Sequence, residues 1–138
     1  MRGRALLWGS VGLCLALAGC APKDDLDLSG YARRELTAKE KDLLASTIKA
    51  SLKDPNSAMI DFLPMPAVKG QVISYCALVN AKNAMGGYVG LMPAEVAVKA
   101  ADNGEIVAAK LAGISSGPNE AGVDPWKWRC QTLGYLPA

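Results

Sequence analysis

The stretch 75–91 limits the folds open to this chain more than any other: Tyr75-Cys76-Ala77-Leu78-Val79-Asn80-Ala81-Lys82-Asn83-Ala84-Met85-Gly86-Gly87-Tyr88-Val89-Gly90-Leu91. It sets a Gly-Gly-Tyr turn between two β-rich runs. In the first run, 71–81, Val72, Cys76 and Leu78 share one face, and Ile73, Tyr75, Ala77 and Val79 share the other. Apolar residues on both faces predict a strand covered on both sides. Residues 82–87 are turn-rich, and 88–98 reads as the return strand, in which Pro93 predicts a bulge or an edge position. Asp102-Asn103-Gly104 marks the next hairpin, because Asn-Gly supplies the two positive φ values of a type I′ turn. Residues 105–111 are the third strand of this meander.

Upstream, Thr37-Ala38-Lys39-Glu40 has capping-box spacing, in which the hydroxyl serves the third amide and Glu40 reaches back. Leu44, Ile48 and Leu52 follow at i, i+4 and i+8, with Leu43 widening the stripe. Lys41 stands where a hydrophobic staple needs an apolar residue. The helix is expected to stop near Lys53, because Pro55 disfavours helical dihedrals at Asp54. Asp54-Pro55-Asn56-Ser57 reads as a capped single turn, and 58–63 as a strand ended by Pro64 and Pro66. Residues 113–124 form a loop. Asp124-Pro125 repeats the cap-plus-proline start, so 126–130 is a short helical turn or irregular segment, with Trp126 and Trp128 sealing the core and one of them partly exposed. The expected fold is α+β: an N-terminal amphipathic helix on a three- or four-stranded antiparallel meander.

The beginning of the chain is of another kind. Arg2 and Arg4 precede an apolar run, 5–18, interrupted by Gly9, Ser10 and Gly12, and Leu17-Ala18-Gly19-Cys20 closes it. The run is too short and too glycine-broken for a spanning helix, which needs about 20 apolar residues. These four residues resemble the lipobox of bacterial lipoproteins at every position. The resemblance implies a signal peptide over 1–19, lipidation of Cys20 and acylation of the new amino terminus. Two or more acyl chains hold a protein to a membrane where one is marginal. Ala21 is not the aspartate that resembles an inner-membrane retention signal, so the expected location is the outer membrane, facing the periplasm. Residues 20–36, with Pro22 and the Asp24-Asp25-Leu26-Asp27 run, read as a lipidated, solvated tether. A single globular domain over 37–138 follows.

Without the leader, the 15 basic residues lose Arg2 and Arg4 and so equal the 13 acidic ones. A neutral chain carries no electrostatic footprint for phosphate backbones, so no nucleic-acid partner is expected. Cys14 leaves with the leader and Cys20 takes the lipid, which leaves Cys76 and Cys130. An even pair in an exported chain predicts a disulfide clamping the carboxyl-terminal segment to the central strand. Closing a loop of about 55 residues is worth about 4 kcal/mol in the chain-entropy model. Two free thiols or a metal pair are the alternatives. With no histidine in the chain, neither a metal site nor a cofactor is expected.

The absence of histidine also removes every Ser-His-Asp and Cys-His arrangement. Ser46-x-x-Lys49 has the spacing of penicillin-interacting enzymes, but the accompanying Lys-Thr-Gly-like strand and Ser-x-Asn-like loop are missing. Asp54, Asp61, Glu95 and Glu105 are candidate carboxylates for glycoside cleavage, and nothing in the sequence pairs two of them. No enzyme is expected. The remaining candidate is a polar cluster of Asn80, Lys82, Asn83, Gly86, Gly87 and Tyr88 at one hairpin end. It reads either as a binding surface or as the residues that any turn demands.

Asp54-Pro55-x-Ser57-Ala58, then Cys76, then Val79-Asn80-Ala81-Lys82-Asn83-x-x-Gly86-Gly87-Tyr88-x-Gly90 resembles a small exported proteobacterial domain of uncharacterised function. The resemblance covers about residues 40–100 and implies a shared fold but no activity. Related sequences often follow Gly90 with an aromatic, where this chain has Leu91-Met92. Two functions are expected to compete. One is a non-catalytic envelope lipoprotein, an accessory or binding module for another envelope or secretion-system protein. The other is a small periplasmic inhibitor, similar in size and anchoring to lysozyme-inhibitor lipoproteins.

Overall fold

The computed structural model describes residues 27–138; the expected signal peptide, the Cys20 anchor and the first part of the tether lie outside them. The elements run β1 (Arg33–Arg34), α1 (Ala38–Lys49), a 3₁₀ turn (Pro55–Ser57), β2 (Met59–Phe62), β3 (Met65–Pro66), β4 (Val72–Asn80), β5 (Met92–Ala100), β6 (Ile106–Ile114) and α2 (Pro125–Thr132). The fold is α+β. A four-stranded antiparallel sheet has the order β2-β4-β5-β6, and β1 and β3 form a separate two-stranded ladder.

Helix α1 begins as its sequence dictates. The Thr37 hydroxyl accepts from the Glu40 amide, and Glu40 accepts from the Thr37 amide at 2.8 Å. Leu44 and Ile48 are fully buried and pack with Ile73, Tyr75, Ala77, Val79, Ala94, Val96 and Val98, which puts α1 on that face of the sheet. The helix ends at Lys49, before the expected stop near Lys53. The Ser51 hydroxyl donates to the Ile48 carbonyl at 2.9 Å, and the amides of Ser51 and Leu52 reach back only three residues. The hydroxyl competes for a last-turn carbonyl and the chain tightens out of the helix. The expected Asp54 cap is present, accepting from the Ser57 amide at 3.3 Å.

Helix α2 covers the other face through three side chains set on one row across the strands. Cys76 of β4 pairs with Glu95 of β5, and Glu95 with Gly113 of β6. On that row Cys130 is bonded to Cys76, with S–S 2.07 Å and Cα–Cα 5.9 Å. Arg129 grips Glu95 through two hydrogen bonds, at 2.9 and 3.1 Å, and Trp126 lies over Gly113. Residues at i, i+3 and i+4 of a helix share one face, so an eight-residue helix docks with all three. Asp124 caps it, accepting from the amides of Trp126 and Lys127. Trp126 is half-buried and Trp128 is 58% exposed, which divides the two tryptophans as expected.

Several expectations are corrected. Residues 27–36 are not a solvated spacer. Leu28 and Leu36 are buried, and β1 pairs with β3. Arg33 stacks 4.8 Å from the Tyr135 ring, and Arg34 is bidentate on the buried Glu40, at 2.6 and 2.8 Å. The packed region therefore begins before residue 37. The return strand starts at Met92 rather than at residue 88. Only a single Lys82–Tyr88 bridge precedes it, and Gly90, at φ +92°, turns the chain out of the ladder. Pro93 sits in a central strand and the register shifts lie elsewhere, at Glu95/Val96 and Lys99/Ala100. The Pro93 carbonyl accepts from Ser115, just past the end of β6, so its missing N–H faces the point where the ladder stops. The 102–104 hairpin is not type I′. Only Gly104 has positive φ, at +85°, and its amide returns to the Ala101 carbonyl, giving a three-residue loop.

Candidate functional site

The predicted polar cluster forms an arm, residues 81–91, projecting from the β4–β5 end of the sheet, and most of its polar atoms are spent on its own shape. The Asn83 side chain accepts from the amides of Met85 and Gly87, at 3.0 and 3.2 Å, while its backbone exchanges hydrogen bonds with Gly86 and Gly87. Gly86 holds the left-handed conformation at φ +82°; Gly87 does not. The Asn80 side chain accepts from the Gly90 amide at 3.1 Å, taking over where Gly90 leaves the ladder.

The root of the arm is clipped to the Asp54–Ser57 turn. The Ser57 hydroxyl accepts from the Lys82 amide at 2.9 Å, and its carbonyl accepts from the Tyr88 hydroxyl at 3.2 Å. The two halves of the pattern quoted above, Asp54-Pro55-x-Ser57 and Asn80 to Gly90, thus meet in space as one structure. This accounts for Asn80, Asn83, Gly86 and Tyr88 as architecture. It leaves the Lys82 ammonium, which lies 5.6 Å from the centre of the Tyr88 ring.

The arm's exposed surface is apolar. Met85 is 94% exposed, and Tyr88, Val89 and Leu91 are each about half exposed. Beneath it opens a cleft of about 510 Å³ between the end of α1, the arm and the ends of β4, β5 and β6. Its floor and walls are Leu52, Val79, Ala81, Val89, Met92, Leu111 and Ile114, with Lys53, Lys82 and Asn83 at the rim beside Ser51, Ser115 and Ser116. A second cleft, of about 530 Å³, adjoins it through Met92 and is lined by Val123, Lys127, Trp128 and Gln131 among others.

Of the predicted site residues, Lys82 and Asn83 line the first cleft, whereas Gly86, Gly87 and Tyr88 form the arm above it. Leu52, Met92, Leu111 and Ile114 were not expected there; they come from separate segments that no local pattern joins. Of the candidate carboxylates, Asp54, Glu95 and Glu105 are each engaged with other groups. Asp54 caps its turn, Glu105 pairs with Lys39 at 2.8 Å and Glu95 holds Arg129 and Ser74. Ser46 donates to the Leu43 carbonyl within its own helix. Among the described residues no group of three or more potential metal ligands comes together.

The buried carboxylates are held ionised by their partners. Burial pushes Glu40 upward, but hydrogen bonds from Arg34 and from the amides of Ile106 and Thr37 outweigh it and bring its pKa down to about 2. Glu95 is likewise raised by burial and lowered further by Arg129 and Ser74, for a net decrease. Carboxylates fixed in this way serve as structural anchors and are poor proton carriers near neutral pH. No family model matches the chain, and no curated protein or solved structure matches it.

Proposed function

We propose that this chain is a non-catalytic lipoprotein of the bacterial envelope, anchored through Cys20 in the outer membrane and facing the periplasm. There it serves as a binding module for another envelope or secretion-system protein. One observation carries the docking role: Met85, Tyr88, Val89 and Leu91 are exposed together on an arm whose root is held by Ser57, Asn80 and Asn83. Clustered exposed apolar side chains mark interaction surfaces, and a fixed arm lowers the ordering cost of binding. Met92 and the exposed Trp128 extend the same surface towards α2.

The test is chemical cross-linking in intact envelopes, comparing the parent with Val89→Asp/Leu91→Asp. An adduct of defined mass that the parent forms and the double variant loses supports the reading. An adduct that survives the substitutions removes the arm from it. Inhibition of lysozyme by the protein would favour the inhibitor reading instead. Fatty-acid labelling that disappears in Cys20→Ala supports the anchor, and unchanged labelling refutes it.

A further inference from the structure

We infer that the cleft beneath the arm is a binding site for a single-chain aliphatic carboxylate, a free fatty acid. This inference concerns the cleft and not the arm's outer surface, although Val89 and Met92 belong to both. Three features converge. The volume, about 510 Å³, is in the range of small-molecule sites, and the lining is predominantly aliphatic. The lining includes two lysines, Lys53 and Lys82, and no carboxylate.

The nearby acids are occupied elsewhere. Asp54 caps its own turn through the Ser57 amide. Asp124 takes the Ser115 hydroxyl together with the first amides of α2. Neither rim lysine forms an ion pair among the described residues. An alkyl chain laid on Leu52, Val79, Leu111 and Ile114 would gain burial in proportion to its length. Its head group would then lie beside the two lysines, each without a salt-bridge partner among the described residues. A carboxylate satisfies this arrangement. An alcohol gains only the burial, and an amine is repelled.

The experiment uses the full chain in phosphatidylcholine nanodiscs, with methyl resonances followed during titration with octanoate, octanol or octylammonium. Octanoate is expected to shift the methyls of Leu52, Val79, Val89 and Leu111 saturably, about tenfold more tightly than octanol, the ratio expected for one charge-assisted hydrogen bond. Octylammonium is expected to bind most weakly. Lys53→Glu/Lys82→Glu should invert the order of acid and amine; if that variant does not fold, the order in the parent decides. Three results overturn the inference: equal binding of acid and alcohol, shifts centred on Val123 in the neighbouring cleft, or no saturable shift with octanoate. Shifts produced by adding phosphatidylglycerol to the disc and not by octanoate also overturn it, because the occupant is then a lipid head group.

Discussion

Gly113 of β6 and Trp126 of α2 approach so closely that a Cβ on residue 113 would lie 2.1 Å from the indole Cζ2, well inside van der Waals contact. The glycine is a clearance, and the tryptophan fills it. With Arg129 on Glu95 and Cys130 on Cys76, this contact seats α2 on one row of the sheet.

Gly113→Ala should therefore destabilise the protein by about 1–3 kcal/mol, the usual cost of overpacking, with more possible because the clash is with a rigid ring. Trp126→Ala in the same chain should recover part of that loss. Chemical denaturation of the two single variants and the double variant measures the coupling. Additive losses would show that the two residues do not share the space.

The bridge acts on the same helix. Cys76 and Cys130 are both buried, and Cys76→Ala should cost about 2–5 kcal/mol, the range for a small disulfide-bonded domain. Amide exchange should then rise first in α2, which loses its covalent tie to β4 and keeps the Arg129–Glu95 pair and the Trp126 contact. Loss of protection spread evenly over β4 and β5 would contradict this assignment.

Acid should loosen the opposite end. The Glu40 carboxyl has its folded pKa lowered from 4.5 to about 2, so its contribution is complete above 4.5 and is lost as pH falls towards 2. Glu95 and Asp124 are lowered too and act in the same direction. The melting temperature should fall between about pH 5 and pH 2, and Glu40→Gln should flatten that fall while lowering stability at neutral pH. A parent whose melting temperature is level across this range would refute the ion-pair account.

The parts of the fold legible in the sequence share a physical origin. Thr37 with Glu40, Asp54 with Pro55, and Asp124 with Pro125 are local signals in which a side chain answers a backbone amide a few residues away. The cysteine pair is legible because it is the even pair that remains once the expected leader and Cys20 are set aside. What escaped notice was non-local. The β1–β3 ladder is two residues long and has no period to detect, so Arg34 and Leu36 passed for spacer. The Asn103-Gly104 dipeptide predicts type I′, although only the glycine takes positive φ. Gly113 carries a usable signal, since glycine within a strand often marks the close approach of another group. The cleft has none, because Leu52, Val79, Met92, Leu111 and Ile114 come from separate segments.

The arm offers a paired test of backbone conformation. Gly86→Ala forces an L-residue into the left-handed region and should cost about 1–2 kcal/mol locally. Gly87→Ala meets nothing closer than the Asn83 side chain at 3.9 Å, without positive φ, and should be nearly neutral. Amide exchange within 83–90 reads both. Equal effects would mean that the arm is not held as described.

The central claim is that the arm is the face this protein presents to an envelope partner. A photo-reactive residue placed at position 89, in the full chain in living cells, tests it most directly. The control is the same residue at position 72, where Val72 is 67% exposed at the far end of β4. The account predicts a discrete adduct of constant mass from position 89 and none from position 72. Adducts of the same mass from both positions, or none from position 89, would contradict it.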